Sequence, residues 1–191
     1  EAPYRNCMAT GLGLDDSGLK MSKSKGNVLD PWGYIDRFGA DCIRWYLFSS
    51  SAPWKSKRIG EAAVQEPLYK FLDTVRNTYD FFALYATIDG YDPGVHPTRD
   101  VSLSVLDRWI RSRLETATRD VVKALDAYDV VSATAGLEAF VDDLSNWYVR
   151  LSRRRFWRGG MGDDKAAAYG TLREALLVLS RLLAPFTPFL A

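Results

Sequence analysis

Residues 106–129 read LDRWIRSRLETATRDVVKALDAYD. Over the wider stretch 102–128, Val105, Leu106, Trp109, Ile110, Leu114, Val121, Val122 and Leu125 return at helical intervals with charged residues between them. This pattern predicts an amphipathic helix with one apolar stripe and one solvated face. A stripe of this length needs partners, because most helical stability in proteins comes from packing an apolar face.

Partners lie on either side. Residues 61–86 place Val64, Leu68, Phe71, Leu72, Val75, Tyr79 and Phe82 three or four apart, with Pro67 early, where a helix tolerates proline or bends. Residues 130–157 carry Ala133, Leu137, Phe140, Val141, Leu144, Tyr148 and Leu151. Residues 164–184 carry Tyr169, Leu172, Leu176, Leu179 and Leu183. The breaks TIDGYDPGVHPTRD (87–100) and RGGMGDD (158–164) hold the glycines and prolines that interrupt a helix. Four long amphipathic helices with short or medium links predict an antiparallel bundle.

The first sixty residues have another character. Gly11–Leu14 and Leu19–Met21 flank Asp15-Asp16-Ser17-Gly18, a β-hairpin pattern with turn formers at its tip. Asp30-Pro31 starts a helix, with aspartate as cap and proline in the first turn, and Gly39 ends it. ADCIRWYLFSS (40–50) reads as a second helix that Ser49–Ser51 ends, and 51–59 as a loop with a short extended piece. The expected division is 1–59, mixed α and β and basic, and 60–191, helical. Trp45 and Trp109 are expected in the core.

Bulk composition narrows the classes. The chain has 191 residues, 47% hydrophobic and 26% charged, enough for a packed core. A net charge of +1 leaves any attraction to nucleic acid to local clusters. Cys7 and Cys42 stand far apart and His96 is the single histidine, so no structural zinc set is predicted. Both cysteines read as reduced thiols of a cytoplasmic protein. No run of about 18 apolar residues is present to span a membrane. The chain opens without methionine and stops inside an apolar stretch, which reads as a piece of a larger protein.

The chemistry concentrates in Gly18–Asn27, GLKMSKSKGN. Lysine is a compact charge on a flexible stem, suited to following phosphates through a reaction. Serine hydroxyls and backbone N–H groups near Gly26 add donors. In nucleotidyl transfer, charge builds on the leaving pyrophosphate, and a lysine aimed there favours the transition state. A solvated lysine turn is the plain alternative.

KMSKS, followed by KGN and DPWGYIDRFGAD, resembles the signature loop of class I aminoacyl-tRNA synthetases and the segment after it. LDRWIRSRLETATRDVVKALDAYD looks like the start of the anticodon-binding helical domain in the isoleucine, valine and leucine branch. FVDDLSNWYVRLSRRRFW and LLAPFTPFLA look most like isoleucyl-tRNA synthetases. The resemblance covers nearly the whole chain and is weakest at 87–100. It implies a mainly α fold: a small α/β subdomain of stem-contact type with a hairpin and the lysine loop, then a helical anticodon-binding bundle.

The same resemblance implies that Lys20, Met21, Ser22, Lys23 and Ser24 bind ATP, with Lys20 and Lys23 catalytic and Mg2+ accompanying the nucleotide. It implies tRNA as partner, and amino-acid activation with ATP followed by transfer to tRNA. The family's other signature, His-Ile-Gly-His, is missing from this chain, whose one histidine lies in a linker. A catalytic nucleotide-binding domain is therefore expected in cis, and the isolated piece is expected to be inactive. A valine or leucine enzyme, a free-standing RNA-binding helical module and an interaction bundle with no RNA role are the rival readings.

Arg150, Arg153, Arg154, Arg155 and Arg158 fall within nine residues, interleaved with Phe156 and Trp157. Arg150, Arg154 and Arg158 are four apart. Such a stripe suits RNA phosphates, and Trp157 suits stacking on an unpaired base. Pairing with Asp142 and Asp143, or with the helix dipole, is the structural alternative. Lys55, Lys57 and Arg58 form a smaller basic patch that the resemblance places near tRNA.

Overall fold

The structure is a computed structural model that describes residues 3–96 and 101–191. Part of the linker expected at 87–100 therefore lies outside the described residues. Two short helices come first, α1 (Pro31–Phe38) and α2 (Ala40–Ser49). Asp30 caps α1, accepting from the N–H groups of Trp32 and Gly33.

The first long rod joins α3 (Glu61–Pro67) to α4 (Asp73–Asp89) through a π-helical turn, Leu68–Leu72. The wide turn follows directly on Pro67, which has no N–H for the helical ladder. The second rod is α5 (Val105–Asp126). The third joins α6 (Val130–Asp142) to α7 (Arg150–Trp157) through another π-helical turn, Asp143–Val149. The fourth is α8 (Asp163–Leu183).

Side-chain pairs fix the directions. Arg113 of α5 meets Asp143 at 2.6 Å while Asp107 meets Tyr148 and Arg155, so the second and third rods run antiparallel. Asp89 pairs with Lys165, and Phe82 packs edge-on against Tyr169, so α4 and α8 are antiparallel as well. The bundle read from the sequence is the bundle observed.

One core runs from Phe38 through Trp45, Phe71, Ile110, Phe140, Tyr148 and Tyr169 to Phe186. Trp45 is fully buried, stacked on Phe71 with centroids 3.9 Å apart, and its indole N–H donates to Glu138. Arg44 donates to the carbonyls of Pro185 and Phe186, and Asp41 accepts from the N–H groups of Phe189 and Leu190. Helices α1 and α2 are thus locked into the bundle, and the core crosses residues 59–60.

The hairpin is only a rudiment. β1 (Gly13–Leu14) pairs in parallel with β2 (Lys57–Arg58), and a single antiparallel bridge joins Leu14 to Lys20. The turn itself forms, with the Asp15 N–H bonded to the Leu19 carbonyl and the Gly18 N–H to the Asp15 carbonyl. Gly11 is needed for the parallel pairing: a Cβ there would lie 2.2 Å from the Lys55 carbonyl oxygen.

Four expected core positions are exposed: Tyr79, Val105, Val122 and Leu151. Leu151 shows why. Each α-helical residue turns about 100°, and a π-helical turn inserts one extra residue, which rotates everything after it. Past Val149 the buried positions are therefore Ser152 and Phe156, and Leu151 faces out. Near Tyr79 the buried residue is Thr78, whose hydroxyl is satisfied by the Thr74 carbonyl at 2.7 Å.

Candidate active-site loop and nucleic-acid interface

The lysine loop leaves the turn at Lys20. Lys23–Lys25 form one 3-10 turn, closed by the Lys25 N–H to Ser22 O bond and by Gly26 N–H to Lys23 O. Gly26 sits at φ +68, the left-handed region that glycine enters without cost. Lys20, Lys23, Ser24 and Lys25 are exposed. Met21 is half-buried, its sulfur close over Gly13. Ser22 and Ser24 hydroxyls lie 3.2 Å apart. Among the ion pairs of the described residues, none includes Lys20, Lys23 or Lys25.

Asn27 holds the loop shut. Its Oδ1 accepts from the Ser22 N–H at 2.9 Å. Its Nδ2 donates to Asp15 Oδ2 at 2.8 Å and to the Lys20 carbonyl at 3.3 Å. Asp15 Oδ1 in turn accepts from the Leu19 N–H at 2.8 Å. The Asn27 amide and the Leu19 N–H hold the Asp15 carboxyl below its usual range. Asp15 does form the turn as its residue type suggests, and it also receives the loop's far end. Sequence reasoning did not find the Asn27 bridge, because a link between residues 12 apart leaves no periodic trace.

The arrangement presents three exposed lysines, two hydroxyls and the backbone of a tight turn, on a framed loop. It can meet a chain of phosphates. Among the described residues, no group of three or more His, Cys, Asp or Glu side chains is placed to hold a metal ion. His96 lies in an exposed turn, its ring near the Asp92 carbonyl and stacked on Tyr91.

The arginine cluster divides into two faces. Arg150, Arg153 and Arg154 are exposed on α7, as are Trp147, Leu151 and Trp157 beside them. Arg158 is exposed too, but it has left the helix with extended backbone, so it continues the stripe as the cap and not as a helical position. It lies 3.9 Å from Asp164. The Trp157 indole N–H donates to the Tyr85 hydroxyl at 2.8 Å, and 59% of the residue stays exposed.

Arg155 turns the other way. It neighbours the inward positions Ser152 and Phe156, and its side chain is only 11% exposed. It pairs with Asp107 and with Asp164 rather than with Asp142 or Asp143. Asp107 is fully buried, and it also accepts from the Tyr148 hydroxyl at 2.7 Å and the Ser104 N–H at 2.9 Å. Burial raises its pKa, but the Arg155, Tyr148 and Ser104 hydrogen bonds outweigh that and hold it below the usual range. Phe156 is buried against Phe81 and Tyr169, so of the two aromatics in the arginine run only Trp157 has a face to offer a base. The smaller patch is partly engaged: the Lys57 ammonium donates to Ser51, while Lys55 and Arg58 are exposed.

Two family models match the chain at its two ends. Residues 1–58 match "tRNA synthetases class I (I, L, M and V)" and residues 107–191 match "Anticodon-binding domain of tRNA ligase". Both ends of the chain thus resemble tRNA synthetases. It is 51% identical to an isoleucine–tRNA ligase of Bacillus thuringiensis over 100% of its own length and 18% of that protein's. It is also 51% identical to the isoleucine–tRNA ligase of Deinococcus radiodurans over 188 residues, 98% of its length and 17% of that protein's. The chain thus spans under a fifth of the curated relatives it matches.

Two solved structures share the fold of this chain. One is the ternary complex of Agrobacterium radiobacter K84 LeuRS with tRNA and LeuAMS, with TM-score 0.70 at 23% identity, over 95% of this chain and 20% of that one. The other is Mycobacterium tuberculosis methionyl-tRNA synthetase bound by methionyl-adenylate, with TM-score 0.76 at 17% identity, over 93% and 35%. No helix among the described residues is long and apolar enough to cross a membrane.

Proposed function

We propose that this chain is the lysine-loop and anticodon-bundle segment of an enzyme that activates isoleucine with ATP and transfers it to tRNA. The observation that carries the reading is the framed loop of Lys20–Asn27, with its lysines exposed, in a chain about half identical to isoleucine–tRNA ligases along its whole length. Lys20 and Lys23 place positive charge where the leaving pyrophosphate develops negative charge, which lowers the barrier more than it tightens ground-state binding. Ser22 and Ser24 donate to phosphate oxygens, and Met21 anchors the loop beneath β1. Mg2+ accompanies ATP in the parent enzyme.

The tRNA side of the proposal rests on Arg150, Arg153, Arg154 and Arg158, with Trp157 beside them. Arg150, Arg153 and Arg154 expose their charge to phosphates, Arg158 shares its charge with Asp164 at 3.9 Å, and the exposed indole can stack. Arg155 serves the same surface from behind, by fixing α7 against α5. The remaining catalytic groups lie in the nucleotide-binding domain in cis, in a cytoplasmic enzyme, and residues 1–59 and 60–191 act as its catalytic-side and tRNA-side modules. Amino-acid-dependent ATP–pyrophosphate exchange by the full-length protein tests the assignment. Isoleucine should support exchange far better than valine or leucine; a preference for either of those would reassign the enzyme.

A further inference from the structure

We infer that Asn27 and Asp15 are positioning residues, a side-chain clip that sets the loop's shape for the reaction. This rests on the proposed phosphate-binding role of the loop. The geometry is specific. Asn27 joins three points of the chain with one amide: Ser22 N–H on its oxygen, Asp15 Oδ2 and Lys20 O on its nitrogen. These contacts tie the loop's exit to its entry, so Lys23 projects from a closed ring instead of a floppy strand. Asp15 is pinned from the other side by the Leu19 N–H, so the clip is anchored on the turn. Neither residue reaches the lysine ammonium groups, so both act through the backbone that carries Lys20 and Lys23. An enzyme gains from such preorganisation, because small misplacement of a charged group forfeits much of its effect.

The donor pattern allows a sharp test. Asn27→Asp keeps the oxygen for Ser22 but sets a second carboxylate against Asp15, so the bridge is lost by repulsion. Adding Asp15→Asn reverses the roles: the new amide keeps its oxygen for the Leu19 N–H and donates its nitrogen to the carboxylate now at position 27. In the full-length protein, Asn27→Asp should lower kcat for ATP–pyrophosphate exchange by roughly tenfold, about one decade of barrier, with the isoleucine KM unchanged. It should also speed hydrogen exchange in the peptide spanning 20–27. The double variant should recover most of both, as a coupled pair does.

Lys23→Ala, measured alongside, separates the two proposals. If it loses exchange activity while Asn27→Asp stays at the wild-type rate, the clip is refuted and the loop's role stands. If both match wild type, the loop reading itself fails. A double variant no better than Asn27→Asp alone also refutes the clip.

Discussion

Both prongs of the Arg155 guanidinium close on Asp107, Nη1 to Oδ1 and Nη2 to Oδ2, each at 2.8 Å. Asp107 is at the same time the N3 residue of a capping box, bonded reciprocally with Ser104 at the start of α5. The pair therefore joins the start of one rod to the end of another, and Tyr148 completes it. Removing either partner leaves a buried charge alone. Arg155→Met and Asp107→Asn should each cost about 3–5 kcal/mol, as broken buried pairs do, read by urea unfolding. Loss of tRNA affinity without loss of stability would instead place Arg155 on the RNA surface.

The same network sets the acid response. The folded-state pKa of Asp107 is lowered, and so is that of Asp89, where burial is outweighed by Lys165 and Tyr169. Each contribution is complete above the ordinary carboxylate pKa and is lost as pH falls through the lowered value. Thermal unfolding followed by circular dichroism should show Tm steady near neutrality and falling steeply below about pH 4, where carboxylates begin to protonate. Asp107→Asn should flatten that acid limb.

Removing charge from the outward face should act differently. Arg150→Ala, Arg153→Ala and Arg154→Ala should leave Tm nearly unchanged. Each phosphate interaction removed should reduce the slope of log affinity against log salt by about 1. Filter binding of tRNA across a salt series measures it, and unaltered slopes in the triple variant would remove this face from the interface.

The two cysteines should separate by reactivity. Burial pushes the Cys42 thiol up to about 11, and its hydrogen donates to the Val64 carbonyl at 2.8 Å, while Cys7 is exposed. An alkylating reagent near pH 8 should modify Cys7 in the folded protein and reach Cys42 only after denaturation, because the thiolate is the nucleophile.

Local signals in the sequence foretold much of this. The Asp30-Pro31 cap, the four rods and the buried Trp45 follow from cap chemistry and periodicity. What escaped were features made by distant partners. The π-helical turn at Asp143–Val149 adds one residue to the count, which turned Leu151 outward, and Arg155 is drawn in by Asp107, a partner 48 residues away. β1 looked like half of a hairpin, yet its main partner is β2, more than 40 residues on, and no local pattern announces a parallel pairing. In the loop, KMSKS was legible through resemblance, whereas the Asn27 bridge is visible only in three dimensions. Ser104-x-x-Asp107 is a capping-box spacing and was the one overlooked sign of the Asp107 network.

The central claim is that Lys23 stabilises charge on the departing pyrophosphate. The most direct measurement is isoleucine-dependent ATP–pyrophosphate exchange by the full-length protein with and without Lys23→Ala. The expected result is a kcat lower by roughly tenfold or more, at about 1.4 kcal/mol per decade, with the isoleucine KM little changed. A variant exchanging at the wild-type rate would contradict it.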